Sequence, residues 1–149
     1  MKSIIKNYWK LLPNFDWSHI LLRIPLAVVF IQQGLSKFPV NYSMADGLGI
    51  NHLTWLIVCY GEILAGVGLL VGAVATLYGF KDISAFAVIG DLLTRFSGIV
   101  MCCITTGVFW TVIKPQSLAD VDMFHLFLWV GGLYFALRGN WAVAQEKKA

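Results

Sequence analysis

The sequence has few charged residues. Of its 149 residues, 13% are charged and 58% are hydrophobic. A soluble domain carries about 25% charged residues, so this chain lacks the polar groups that would cover a soluble surface. Disorder is excluded as well, because disordered chains combine low hydrophobicity with high net charge. The composition therefore indicates an integral membrane protein.

Basic charge and metal-binding cysteine spacing are also scarce. The formal net charge is only +3, which gives no electrostatic footprint for nucleic acid. Cys59, Cys102 and Cys103 lie in apolar segments without a CxxC or Cys/His spacing, so we expect no metal site. We interpret the cysteines as small packing residues. A strained redox pair of Cys102 and Cys103 is the alternative.

Four apolar segments are present, and each is close to the length of about 20 residues that crosses a bilayer as a helix. They lie at 20–38, 53–77, 88–113 and 123–140, and the third starts somewhere between 85 and 92. No alternating β-barrel pattern is visible. We therefore predict an all-α fold in which 14–149 form a single four-transmembrane-helix bundle. We expect the first segment to be retained in the membrane and not cleaved.

The N-terminal segment, 1–13, has a different pattern. Lys2, Lys6 and Lys10 repeat at i, i+4 and share a helix face, and Pro13 ends the pattern. This predicts a short amphipathic interfacial helix on the anionic inner membrane surface. The alternative is a disordered tail that only obeys the orientation rule.

Positive residues predict the orientation. They precede or open the first segment, flank the link between the second and third, and follow the fourth. These residues are Lys2, Lys6, Lys10, Arg23, Lys81, Arg95, Arg138, Lys147 and Lys148. We expect a multi-pass protein of a bacterial-type inner membrane with both termini cytoplasmic and with 39–52 and 114–122 outside.

Small residues form a stripe on the second segment. Gly61, Ala65, Gly68 and Gly72 recur at helical spacing, which allows close helix packing. We interpret the stripe as a contact within the bundle, and docking of a partner subunit is the alternative.

Glu62 is the clearest polar residue inside a span, where an ionisable group usually marks function. It lies about 13 Å below the outer boundary at 1.5 Å per residue. Without a compensating cation or donor, its carboxyl would be held neutral. A neutral acid could bond a carbonyl ligand or exchange a proton. A hydrogen bond that ties two helices together is the other interpretation.

The remaining candidates for a ligand or proton site share the outer half of the membrane with Glu62. They are Gln32, Gln33, Lys37, Asp122, His125 and Trp129. We favour snorkelling of Lys37 to the interface over a role as cation for Glu62. Asp122 and His125 are i, i+3 neighbours and are candidates for a proton relay.

Three other polar residues are interpreted as structural. We expect ordinary loop hydrogen bonds for His52. The i, i+4 residues Asp91 and Arg95 are expected to form an ion pair.

Three stretches resemble the DoxX-like family of small four-helix membrane proteins. Arg23–Phe30, followed by Gly34 and Lys37, resembles the family's first helix; the glycine-rich run led by Glu62 resembles the second; and 94–96 resemble the polar turn before the third. The resemblance implies an association with membrane redox systems, because related proteins take part in thiosulfate oxidation coupled to quinone and in oxidative-stress complexes. The residues of this sequence that match the family's motifs, and so would share their role, are Arg23, Gly34, Lys37 and Glu62.

These features lead to one function hypothesis with two alternatives. The leading hypothesis is an integral membrane subunit of a larger, redox-linked complex, accessory to an oxidoreductase, with an outer-half pocket for a quinone or lipid. Its partners would be membrane lipids and other membrane subunits, not nucleic acid. The first alternative is a structural or assembly subunit without chemistry. The second, less favoured, is a small proton-coupled transporter using Glu62.

Overall fold

A computed structural model describes residues 18–82, 84–114 and 122–140, which are almost entirely helical. Helix α1 spans Ser18–Leu35, α2 spans Tyr42–Leu48, α3 spans His52–Asp82, α4 spans Ser84–Val108 and α5 spans Met123–Arg138. A π-helical turn, Phe109–Ile113, continues α4. The prediction of an all-α bundle is confirmed. The interfacial helix predicted for 1–13 lies outside the described residues.

The helix ends differ from the predicted segments. Helix α1 ends at Leu35 and not at 38, consistent with the bias of a residue before proline, here Phe38, against helical conformation. Helix α3 continues to Asp82, and α4 starts at Ser84, just ahead of the predicted range. The sequence has no strong stop signal that would have marked the end of α3 or the start of α4.

The short helix α2 was not predicted. It lies in the segment 39–52, which we expected to be a simple link. Its N-cap is Asn41, whose side chain accepts a 2.9 Å bond from the backbone N–H of Ser43. Gly49 closes its other end with φ +68°, a left-handed conformation that favours glycine. Ala45 buries α2 against Trp55 and Cys59 of α3.

The four longer helices run alternately up and down. Arg23 near the start of α1 contacts Leu69 in the second half of α3 and Thr94 near the start of α4. Asn140, just beyond α5, joins the same group. At the opposite end of the bundle, Lys37 in the turn after α1 contacts Glu62 in the first half of α3. Successive long helices are therefore antiparallel, with α3 and α4 at the centre.

The bundle is apolar both inside and outside. Its core is formed by buried residues from all four long helices, namely Leu26, Ala27, Phe30, Ala65, Leu69, Met101, Leu128 and Phe135. The outer faces expose large apolar side chains such as Ile57, Leu64, Phe96 and Phe127. A soluble monomer rarely exposes such continuous apolar surface. By length and composition, His52–Ala75 and Ala85–Ile113 could each cross a membrane, and Ile20–Leu35 and Met123–Arg138 are shorter apolar helices.

The glycine stripe predicted on α3 packs within the bundle. A Cβ at Gly68 would lie 2.5 Å from Ser97 Oγ of α4, and one at Gly61 would lie 3.2 Å from the Ile104 side chain. Gly72 meets α4 in the same way, and Ala65 joins the core. The face of α3 that could have served as a docking surface is therefore covered by α4.

Arg23 is buried between all four long helices. Only 1% of its surface is exposed. It donates to Leu69 O at 2.5 Å and to Thr94 Oγ1 at 3.2 Å, and also to Asn140 Oδ1. Its guanidinium lies 4.6 Å from the centre of the Phe135 ring. We counted Arg23 among the positive residues that flank the spans, but the structure shows that it joins the helices together.

The expected Asp91–Arg95 pair is present and closes the end of α5. Arg95 Nε donates to Asp91 Oδ2 at 2.7 Å, and Arg95 also donates to Leu137 O at 2.5 Å. Asp91 Oδ1 accepts from the backbone N–H of Asn140 at 2.5 Å. These bonds satisfy carbonyls that a helix C-terminus leaves without partners.

We expect the Gly98→Ala substitution to destabilise the bundle. A Cβ at Gly98 would lie 2.6 Å from Gly132 O and 2.5 Å from Ala136 N of α5, and a backbone cannot move aside cheaply. The loss should be about 1–3 kcal/mol, as for overpacked cores, measured by denaturant unfolding in detergent. On the same helix, Gly107→Ala meets nothing within 4 Å and should be neutral or slightly stabilising. Equal stability of the two variants would contradict this packing.

The Arg23→Leu substitution should cost about 3 kcal/mol or more, because buried groups that lose a charged donor each cost about 1–3 kcal/mol. Leu69 O and Asn140 Oδ1 would both lose their bonds to Arg23. The matched control is Arg138→Leu, at an exposed position, which should change stability by less than about 0.5 kcal/mol. Thermal unfolding followed by circular dichroism would compare them, and a similar small change for both would rule out the central role of Arg23.

Candidate functional site

A cavity of about 450 Å³ lies at the end of the bundle opposite Arg23. The four long helices and the π-helical turn after α4 all line it. Lys37 in the turn after α1, Leu48 at the end of α2 and Ile50 just after α2 line it as well. The lining consists of Phe30, Gln33, Lys37, Leu48, Ile50, Thr54, Trp55, Ile57, Val58, Glu62, Cys103, Ile104, Thr105, Gly107, Val108, Thr111, Val112, His125 and Leu128. Its size and its mainly apolar wall with a few polar groups are typical of sites for small molecules.

Lys37 and Glu62 form an ion pair in the cavity wall. Lys37 Nζ contacts Glu62 Oε2 and also donates to Gln33 O at 3.0 Å. The two side chains are only 16% and 6% exposed. The preferred interpretation, snorkelling of Lys37 to the interface, is therefore wrong. Glu62 therefore has the compensating cation that its charged form would require.

Gly34 brings this pair together. A Cβ at Gly34 would lie 2.5 Å from Ile63 Cγ1 and 3.1 Å from Cys59 O, so only glycine lets the end of α1 approach α3 this closely. Lys37 follows in a turn whose backbone N–H donates to Gly34 O at 3.1 Å. The motif residues Gly34, Lys37 and Glu62 thus form one physical unit.

Asp122 and His125 form the second polar group at the cavity. His125 Nδ1 contacts the Asp122 carboxylate, and the imidazole lines the cavity. Asp122 is the N-cap of α5, where its side chain accepts a 3.1 Å bond from the backbone N–H of Phe124. The His125 ring packs edge-on against Phe109 of the π-helical turn, with ring centres 6.4 Å apart. Asp122 orients His125 but does not itself line the cavity.

The other predicted candidates divide into two sets. Gln33 lines the cavity, whereas its neighbour Gln32 is exposed and does not. Trp129 is also outside the cavity. Its Nε1 donates to Thr106 Oγ1 at 3.1 Å, and this bond joins α5 to α4. His52 makes the expected ordinary bond, 2.7 Å from Nε2 to Asp46 Oδ1.

Several lining residues were not anticipated from the sequence. Trp55 is buried, and its Nε1 has no acceptor among the described residues. Thr54 lines the cavity from α3, and Thr111 lines it from the π-helical turn. Trp55 lies seven residues before Glu62, on the same helix face, and this spacing is the signal that could have indicated it.

The three cysteines are free thiols. Cys59 is buried, and Cys103 lines the cavity. Within residues 18–82, 84–114 and 122–140, no group of three or more His, Cys, Asp or Glu side chains could hold a metal ion. The polar groups at the cavity are suited to hydrogen bonding with an organic ligand.

Comparison with known proteins relates part of the chain to a family. Residues 19–81 match the family model of DoxX, which confirms the resemblance over α1, α2 and most of α3, and the match includes Arg23, Gly34, Lys37 and Glu62. No curated protein and no solved structure matches the chain. Together with the apolar helices, the match indicates a membrane protein.

The acid sensitivity of the bundle should depend partly on Asp122. The bond from His125, followed by that from the Phe124 N–H, lowers the pKa of this carboxyl. A lowered pKa gives stability that is present above the ordinary pKa of aspartate and is lost as the pH falls through the lowered value. The Asp122→Asn substitution keeps a cap acceptor but removes the charge. Between about pH 5 and about pH 1, the thermal unfolding temperature of this variant should fall less steeply than that of the wild type. Parallel plots of unfolding temperature against pH for the two proteins would contradict the assignment.

Proposed function

We propose that this protein is a multi-pass inner-membrane bundle whose outer-half cavity binds a lipophilic molecule with a polar head, a quinone or a lipid. It would act as an accessory subunit of a redox-linked complex. The observation that carries the proposal is the placement of the Lys37–Glu62 ion pair in the wall of an otherwise apolar cavity. An ionisable pair at this depth has a desolvation cost, which a binding role would explain.

The topology of the proposal has four crossings. Helices α3 and α4 are long and apolar enough to cross, and α1 and α5 pack antiparallel beside them. With 18 and 16 residues, α1 and α5 are about 27 Å and 24 Å long, close to the bilayer core of about 30 Å. The end with Arg23, Arg95 and Arg138 would face the cytoplasm under the positive-inside rule, and the cavity would belong to the outer half.

The cavity suits a ligand with a polar head and an apolar body. Glu62 from α3, Lys37 from the turn after α1 and His125 from α5 supply polar contacts. Aliphatic and aromatic side chains, including Phe30 and Trp55, form the rest of the wall. Polar groups from two helices and a turn around one apolar space can orient a ring that carries oxygen substituents.

The assembly alternative is weakened by the packing of α3. It required the stripe of Gly61, Ala65, Gly68 and Gly72 to be available to a partner, but α4 covers the three glycines and Ala65 is buried in the core. A partner would have to use the exposed apolar faces, which are equally suited to lipid.

The ligand proposal predicts that a lipophilic molecule co-purifies with the protein. The full chain would be purified in mild detergent with native lipids, and the bound molecules would be extracted and identified by mass spectrometry. Val58→Trp places a large side chain in the cavity and should reduce the bound quinone or lipid at least tenfold. Val67→Trp is the matched control, because this residue of the same helix is exposed and outside the cavity, and it should keep the ligand.

Two results would contradict the proposal. One is the absence of any specifically enriched lipophile in the wild-type protein, and the other is equal ligand content in the two tryptophan variants. The redox link has its own test, since quinone turnover in membranes carrying Glu62→Gln should be lower than in wild-type membranes. Unchanged turnover would leave a ligand-binding protein without a redox role.

A further inference from the structure

The hydrogen bonds at the cavity wall bear on the chemical form of the ligand's head. This step rests on the proposed function, because it assumes that a lipophilic molecule occupies the cavity. Glu62 Oε2 contacts Lys37, but Glu62 Oε1 has no donor among the described residues. The side chain is only 6% exposed. Because Oε1 is not among the fully buried polar atoms without a partner, it is accessible, and a ligand that supplies an N–H or O–H can donate to it.

His125 presents a second acceptor. Its Nδ1 is engaged with the Asp122 carboxylate, which can only accept, so Nδ1 carries the proton. In the neutral ring, Nε2 is then an acceptor, and it has no hydrogen-bond partner within the described part of the chain. Asp122 therefore holds the imidazole in the tautomer that offers a lone pair from the side of α5.

The threonines in the wall add to this pattern. Thr105 Oγ1 donates to Met101 O at 2.7 Å, and Thr111 Oγ1 donates to Gly107 O at 2.8 Å. Because both hydroxyl protons are used by the helix backbone, these oxygens offer only lone pairs to the cavity. Donors are present in the third proton of Lys37 and the indole N–H of Trp55. Gln33 and Thr54, which can donate or accept, are at exposed positions.

We propose that the cavity selects an uncharged, hydroxyl-bearing head, a lipophilic phenol or quinol, over the corresponding quinone and over an anionic lipid. A phenolic O–H can donate to Glu62 Oε1 or to His125 Nε2, while its oxygen accepts from Lys37. Quinone carbonyls can only accept, so they would leave both acceptors without donors. An anionic head would place a second negative charge beside the Glu62 carboxylate, which Lys37 already balances.

A matched pair of ligands tests this selection. A 4-alkylphenol and its O-methyl ether share size and lipophilicity and differ in the donor hydroxyl. Their binding to the purified full chain in detergent would be measured by isothermal titration calorimetry. We expect the phenol to bind about tenfold more tightly, as for one hydrogen bond to a charged acceptor. The short-chain quinone should resemble the ether, and a fatty acid should bind more weakly than the phenol.

Variants identify the acceptor. Glu62→Gln keeps the side-chain size but adds an N–H donor, so the phenol-to-ether ratio should fall towards one. Gln32→Leu, on the exposed side of α1 outside the cavity, should leave the ratio unchanged. A ratio that persists in Glu62→Gln but is lost in His125→Phe would assign the hydroxyl to His125 and would also support the proposed ligand class.

Other outcomes overturn the inference in distinguishable ways. If the ether and the quinone bind as tightly as the phenol, and Val58→Trp abolishes binding of all three, the cavity binds lipophiles but does not select a hydroxyl. If the phenol preference survives in both Glu62→Gln and His125→Phe, the acceptors are assigned wrongly. If none of the compounds binds and no native lipophile co-purifies, the proposed function fails together with the inference.

Discussion

The structure depends on how it accommodates charged side chains that are buried away from water. Inside an apolar bundle, a charged side chain cannot rely on solvent, so it must find its partners in the protein. Arg23 meets this requirement at its two terminal nitrogens and ring face, though not at Nε: its partners are a backbone carbonyl of α3, a hydroxyl of α4, and an amide and an aromatic ring at the end of α5. Because these partners lie far apart in the sequence, satisfying one charge fixes the relative positions of α1, α3, α4 and the end of α5.

Close approach of the helices makes these bonds possible. Arg23 can reach α3 and α4 because small residues keep the helix backbones near one another. Gly66 is an example, since a Cβ there would lie 2.7 Å from Ala27 O of α1. Gly98 has the same role between α4 and α5, and Gly34 has it between the end of α1 and α3. Buried charge and small residues thus stabilise the same contacts, and neither would suffice alone.

The sequence predicted position along a helix better than direction around it. The apolar segments, the place of Glu62 in the first half of α3 and the i, i+3 pairing of Asp122 with His125 all follow from distances along the chain. The direction of a side chain could not be obtained in the same way, because α3 is apolar on all sides and has no amphipathic face. For this reason the partner of Lys37 on α3 could not be identified. Gln32 and Gln33 are adjacent on α1, and the sequence did not distinguish them, although only Gln33 lines the cavity. Helix α2 was missed because Asn41 and Gly49 mark a helix too short for a periodic pattern.

The two charged groups of the bundle differ in what they leave available. Arg23 is 1% exposed and covered by the Phe135 ring, so no ligand can reach it, and its role is structural. Lys37 and Glu62 compensate each other's charge, but they retain one free donor proton and one free acceptor oxygen in a cavity wall. An ion pair that is paired in charge but incomplete in hydrogen bonds can attract a neutral polar head without binding an ion, and this incompleteness is the physical reason to assign function to this end of the molecule.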